Sequence, residues 1–411
     1  MTTSPQFLRE VSTMQLMESI SMAANKKLTK LFTEIADAIR EVGEKNKPIR
    51  VAEFADEIRN LPLPSTPVEE KDYNFYDYDG TLLHSYTYDE AMALDDMPEL
   101  PYHKGLICEG WNYSLEQMRQ QGTRKCDIGA FYVTDDGATR LYMNIPYGNK
   151  EVSLLFYFLS PNICSVDWGD GSERDLAKTN VVLNHTYSNR GAYVISIHVT
   201  ENYHVDLGYN DLSVFNTNNS NNSGIPMNAA LCYKVEMGRN MGLTTRAFRG
   251  CISLKTISMS KYTNPMATAA FQNCHIDCVV TPPTNVVNIF SNDNVRRVIW
   301  SVGTTNYNTA VGASKIVIPY GVTTIVNIEG FTGEIYFPET VETMRGRGGF
   351  DCMYDFSALK RVPVLSYSLL HNASLSKLII IVPDMLYDEW INATNWSALL
   401  NYIVKDSEFK R

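Results

Sequence analysis

Two aspartates one residue apart, Asp77 and Asp79, stand in the run Tyr76-Asp77-Tyr78-Asp79-Gly80-Thr81-Leu82-Leu83. Neighbouring carboxylates can act as nucleophile, as general acid or base, or as ligands of a metal ion. Any of these roles needs a rigid framework to hold the two groups in place. Here only a short polar and aromatic stretch precedes the motif, and no alternation of strand and helix follows it. The sequence therefore assigns Asp77 and Asp79 no catalytic role.

A second acidic group, Asp167, Asp170, Glu173 and Asp175, admits a glycosidase or a calcium-loop reading. Glycoside chemistry needs two carboxyls held across a cleft, which one turn does not supply. The spacing also departs from the EF-hand loop, so these residues read as turn formers. The eight cysteines, at 108, 126, 164, 232, 251, 274, 278 and 352, include no C-x-x-C pair. Cys274-His275 with Cys278 could touch a metal but lacks a second ligand pair, so the cysteines read as small buried hydrophobes under reducing conditions. The seven histidines lie scattered, away from any nucleophile setting. No catalytic, cofactor-binding or metal residue is assigned, and no cofactor is expected.

Around these residues lie 411 positions, enough for about two to four domains with their own cores. Hydrophobic residues at 44% against charged residues at 20%, with 24 tyrosines, favour a β-rich globular chain over a disordered one. A net charge of -10 with no basic patch argues against a nucleic-acid partner. No run of about 18 apolar residues exists, so no membrane insertion is expected. Glu10 and Glu18 interrupt Ser4 to Ala24, which therefore does not read as a secretory leader.

Taken in order, residues 6 to 45 read as helix. Met14, Ser21, Leu28, Ile35 and Val42 share one heptad position, and Met17, Ala24, Leu31 and Ala38 share the other. Residues 1–60 thus form a helical oligomerisation or docking segment. β-Branched Ile35 and Val42, with Phe32 and Ile39 widening the stripe, favour a coiled-coil homotrimer. Residues 61–71 form a spacer in which Pro62, Pro64 and Pro67 break helical periodicity. Residues 72–148 read as a small α+β module: a strand through Tyr76, helices at Asp89 to Leu94 and Ser114 to Gln121, and strands at Ile128 to Thr134 and Thr139 to Ile145. Asp135-Asp136-Gly137 is expected to close those last two strands into a hairpin. Residues 149–212 read as a β-sandwich, 213–227 as an Asn/Ser-rich loop, and 228–411 as a repeat domain. In that domain each unit offers one strand that must stack on the next.

Several of these stretches resemble known families. Val166-Asp167-Trp168-Gly169-Asp170-Gly171-Ser172, then His185-Thr186-Tyr187, Gly191 and the strand 193 to 199, resemble the polycystic-kidney-disease (PKD) module, which implies an immunoglobulin-like sandwich usually found outside cells. Ala247-Phe248-Arg249-Gly250-Cys251-Ile252-Ser253-Leu254, echoed by Ala270-Phe271-Gln272-Asn273-Cys274, resembles the BspA-type leucine-rich repeat. The ending through Trp390, Trp396 and Tyr402 is similar to the helical cap that closes such arrays. Residues 35 to 59 look like a helical pair of prophage tail and fibre proteins. Residues 76 to 112 resemble an uncharacterised module of gut-bacterial and phage surface proteins. Asp77 to Thr81 matches the DxDGT motif of haloacid-dehalogenase phosphatases, in which Asp77 would carry the phosphoryl group and Asp79 would act as acid.

The fold expected is thus mainly β and multi-domain. Extracellular-type modules on a chain made in the bacterial cytoplasm are reconciled by assembly into a virus particle. The function expected is a non-enzymatic virion protein of a tailed bacteriophage, a head or tail fibre. It would dock to other virion proteins through its N-terminal helices and meet a host surface glycan or protein. The alternatives are a secreted bacterial adhesin and the phosphatase.

Overall fold

The computed structural model describes residues 29–30, 32–33, 35–37, 68–216, 226–263, 269–283, 295–303, 306–308, 313–328, 331–345, 352–366 and 377–410. The chain divides into two units, Met1–Pro67 and Val68–Arg411. In the first, the described residues between 29 and 37 are helical and Ala36 is buried. Of the heptad positions only Ile35 falls among the described residues, where it is half-buried; the others and the second helix lie outside them. The division falls earlier than Asp72, because Glu70 pairs with Arg297 at 2.6 Å and the backbone N–H of Lys71 donates to Ser85 Oγ at 2.7 Å.

The second unit is mainly β and ends in a β-solenoid of about six turns. Its small module comprises β1 (Tyr73–Tyr76), β2 (Leu82–Tyr86), α1 (Tyr88–Met92), β3 (Leu106–Trp111), α2 (Leu115–Gln121) and β4 (Cys126–Thr134). The strands form one sheet, β2-β1-β4-β3, in which only β1 and β4 run parallel. Both helices begin with reciprocal caps, Thr87 with Glu90 and Ser114 with Gln117, which satisfy amides that would otherwise lack partners. Gly122 ends α2 in the left-handed region, φ 66°.

Thr134-Asp135-Asp136-Gly137 is a tight turn, but it closes no hairpin. β4 pairs with β1 and β3, whereas β5 (Thr139–Ile145) crosses into a different sheet between β11 (Gly191–Val199) and β13 (Cys232–Glu236). Turn chemistry specifies a reversal, while pairing follows the buried faces. Thr139, Leu141, Met143 and Ile145 alternate toward the main core, so β5 belongs to the sandwich and not to the small module.

The region read from sequence as a sandwich holds β6 (Lys150–Leu154), β7 (Phe156–Tyr157), β8 (Cys164–Asp167), β9 (Asp175–Leu176), β10 (Leu183–Tyr187) and β12 (Val205–Leu207), divided among an eight-stranded, a two-stranded and a three-stranded sheet. β6 with β10, β8 with β11, and β8 with β9 are antiparallel. Ser213 to Asn216, expected in a solvated loop, are buried, and the backbone N–H of Leu155 donates to Val214 O at 2.8 Å. Residues 217–225 lie outside the described residues.

The solenoid grows from the sandwich without a break. β13, β15 (Thr256–Ser258), β16 (Cys278–Val280) and β17 (Arg297–Ile299) are parallel and continue the sheet that holds β5. Beyond them β19 (Lys315–Val317), β21 (Glu334–Tyr336), β23 (Met353–Asp355), β25 (Ile379–Val382) and β26 (Ile403–Lys405) form a second parallel row. A further wall, β18 (Asn306–Asn308), β20 (Thr324–Asn327), β22 (Thr343–Met344) and β24 (Val364–Leu365), shows that these later coils carry two strands, not one. Proline turns the corner between walls: Val322 and Val341 donate back to the carbonyls of Pro319 and Pro338 at 3.3 and 3.2 Å.

Equivalent side chains stack from coil to coil, Phe248 on Phe271 at 5.9 Å and Phe337 on Phe356 at 4.2 Å. One buried cluster runs from Leu141 to Ile403, so sandwich and solenoid share a core. Antiparallel pairing of β13 with β5 covers the first edge of the array. At the far end, α3 (Tyr387–Asn392) and the segment Trp396–Tyr402 bury Trp390 and Trp396 against Phe356 before β26.

Candidate functional site

Asp77 leaves the end of β1 and enters a turn that its own groups close. Its N–H donates to Thr81 O at 2.9 Å, its Oδ1 accepts from Tyr78 N at 2.8 Å, and Asp79 Oδ1 accepts from Thr81 N at 2.9 Å. Gly80 has φ 89°, and a Cβ there would lie 3.0 Å from Cys278 Cβ. Asp77 is buried with Oδ2 2.6 Å from His103 Nε2, while Asp79 serves the turn. The two carboxylates therefore meet different partners, on a sheet of mixed direction.

Tyr78, His103 and Tyr132 pack edge-on at 5.1 to 5.4 Å. Beyond them Lys234 Nζ lies 5.0 Å above the Tyr142 ring and 2.8 Å from Glu236, which also accepts from the Tyr142 hydroxyl at 2.8 Å. Every charge in this cluster has an internal counterpart. The hydrogen bond to Asp77 raises the His103 pKa, against the opposing effect of burial. Burial pushes the nearby Cys108 thiol up, the opposite of what activates a nucleophile.

His103 thus has a folded-state pKa above its unfolded value. Its contribution to stability is full below about pH 6.5 and is lost as pH rises through the folded value. His103→Ala should cost about 1–3 kcal/mol by leaving the Asp77 carboxylate short of a donor. Urea midpoints for both proteins should differ most at mildly acidic pH and converge toward alkaline pH; a gap that widens with pH contradicts the pairing.

The residues of the second acidic group each have a structural task or lie free in solvent. Asp167 and Asp170 accept from Gly169 N at 2.9 Å and Ser172 N at 3.1 Å, and Asp170 also meets His185 Nε2 at 2.8 Å. Asp175 accepts from Trp168 Nε1 at 2.8 Å, and Glu173 is exposed. Gly169, φ 75°, lies where a Cβ would come within 2.3 Å of Val194 O. Cys274 is buried with Sγ 3.1 Å from Phe248 O, Cys278 lies beneath Gly80, and His275 is exposed, so the three do not converge.

What the sequence did not reveal is a buried ion cluster. Asp127 on β4 accepts from Arg297 Nη1 at 2.9 Å and Lys315 Nζ at 2.6 Å, both on solenoid strands. The Arg297 guanidinium also lies 3.9 Å over the Tyr76 ring. Beside it Gly129 fits against Val280, where a Cβ would come within 2.4 Å of a methyl carbon. Asn112 and Gln121 extend the seam by donating to Trp300 O at 3.1 Å and Ile318 O at 2.8 Å. No local motif marks these residues.

A cleft of about 960 Å³ opens between the small module and later coils, lined by Asp72, Tyr88, Arg124, Glu334, Tyr336 and Phe409. Neither a known family model nor a curated protein matches this sequence.

Proposed function

We propose that the chain is a non-enzymatic structural and adhesion protein of a tailed-bacteriophage virion, a head or tail fibre. Its N-terminal helices dock to other virion proteins, and the sandwich and solenoid face the host surface. The observation that carries this reading is the single core running through sandwich and about six solenoid turns, a framework compatible with a fibre. The buried Trp168 with its neighbouring turn supports a PKD-type sandwich. The stacked Phe248 and Phe271 support BspA-type repeats, and Trp390 and Trp396 support a closing cap. Occupation of Asp77 by His103 supports the non-enzymatic side. Purified chain is expected not to hydrolyse aryl phosphates with Mg²⁺; hydrolysis abolished by Asp77→Asn would restore the phosphatase.

Heptad positions near Ile35 and Val42 support association as a homotrimer, so weak contacts made by several copies act together. Light scattering should give a trimer for the full chain and a folded monomer for Val68–Arg411. Equal association states for the two would remove the helices from that role. The reading itself is tested by mass spectrometry of density-banded phage particles. The chain should be a stoichiometric component; finding it only in the host envelope would favour the secreted bacterial adhesin.

A further inference from the structure

A pocket of about 460 Å³ lies where β3 of the small module, the loop entering β12, the turn from β13 to β14 (Met241–Leu243) and the chain after β15 meet. Junctions of this kind are where ligand sites concentrate, and the volume falls in the usual range. Six of its residues carry recognition chemistry: Glu109, His204, Arg239, Asn240, Tyr262 and Thr263.

Tyr262 is 77% exposed, and Lys261 Nζ sits 5.1 Å from its ring centroid. A large aromatic ring left this open at a pocket rim, with one cation beside it, still offers solvent a broad platform. Thr263 is only 8% exposed, and its Oγ1 has no hydrogen-bond partner. Buried hydroxyls are usually paired, so this one keeps its hydrogen-bonding capacity for a group that enters the pocket. Glu109 is fixed through Oε2, which accepts from Ser260 Oγ at 2.7 Å and Lys261 N at 3.0 Å; Oε1 takes no bond among the described residues. Arg239 is exposed, and its guanidinium makes no bond among the described residues. His204 is held by Asp206 at 2.9 Å, across Gly242, where a Cβ would come within 2.7 Å of its Nε2.

We propose that this pocket binds a saccharide unit. The open ring of Tyr262 suits the C–H face of a pyranose. A free carboxylate oxygen, a free guanidinium and an unpaired hydroxyl suit the alternating donors and acceptors of vicinal hydroxyls. The opposed charges of Glu109 and Arg239 disfavour a polyanion. The proposal deepens the adhesion reading and takes its biological setting from it.

The test is a glycan array of hexose-, N-acetylhexosamine- and uronic-acid-terminated saccharides probed with the full chain, followed by titration of the strongest binder. Tyr262→Ala should weaken binding roughly tenfold, Thr263→Val should weaken it too, and Tyr102→Ala, at an exposed tyrosine outside the pocket, should leave it unchanged. Unaltered tryptophan emission establishes that each variant is folded. A blank array, or affinity indifferent to both pocket substitutions, overturns the proposal. Adsorption to intact host cells separates the two ideas. Cell binding with a blank array removes the pocket and keeps the adhesion reading; array binding without cell binding removes the adhesion reading and keeps the pocket.

Discussion

Asp127→Ala should lower the unfolding free energy of Val68–Arg411 by about 3–5 kcal/mol, the cost of removing one member of a buried ion cluster. The carboxylate is 7% exposed, and the cations facing it, Arg297 and Lys315, are 16% and 14% exposed. Without Asp127, two positive charges lie close together in a poorly solvated seam. Glu70 still pairs with Arg297 at 2.6 Å, but that carboxylate is half exposed and replaces only part of the lost interaction. Asp127→Asn keeps the shape and removes the charge, so it should recover little. Replacing Asp127 and both cations together by apolar residues should cost far less than the single change, because the charges are then absent and not orphaned. Urea denaturation measures all three; a loss below about 1 kcal/mol for Asp127→Ala would mean that the seam is not held by charge.

A loss of similar size is expected for Trp168→Ala, about 3–5 kcal/mol, near the edge of the eight-stranded sheet opposite the strand of Arg297. The indole is fully buried, stacks on His185 at 4.7 Å and donates to Asp175 at 2.8 Å, while its carbonyl accepts from the Tyr187 hydroxyl at 2.8 Å. Removing the side chain leaves a cavity, strips Asp175 of its donor and frees β9, the last strand of the eight-stranded sheet. Trp168→Phe refills most of the space but not the bond, so it should cost about 1–3 kcal/mol. Hydrogen exchange at the Ala177 amide, which donates to Cys164 O at 3.0 Å, should quicken in both variants. Unchanged protection there would show that β9 does not depend on the indole.

These two sites were unequally legible in the sequence. Trp168 lies inside a local motif in which glycines, aspartates, a histidine and a tyrosine fall within twenty residues, so the turn and its anchor could be read together. Asp127 meets Arg297 and Lys315 across 170 and 188 residues, and nothing local distinguishes it from a surface aspartate. The same limit explains β5. Its alternation announced a strand with one buried face, but alternation does not name a partner, and the preceding Asp-Asp-Gly turn pointed to the wrong one. The repeat between 228 and 411 announced stacked strands, one to each unit. The second wall escaped notice because strands as short as Thr343–Met344 and Val364–Leu365 carry too few residues to show a period. The pocket at Tyr262 was equally silent, since its walls come from four separate stretches of chain.

The proposed place of the chain on the surface of a virus particle is tested most directly by a cryo-EM map of that particle. The account predicts density fitting Val68–Arg411 outside the shell or tail, in copies related by threefold symmetry. Density confined to the particle interior, or its absence from a complete map, would contradict it.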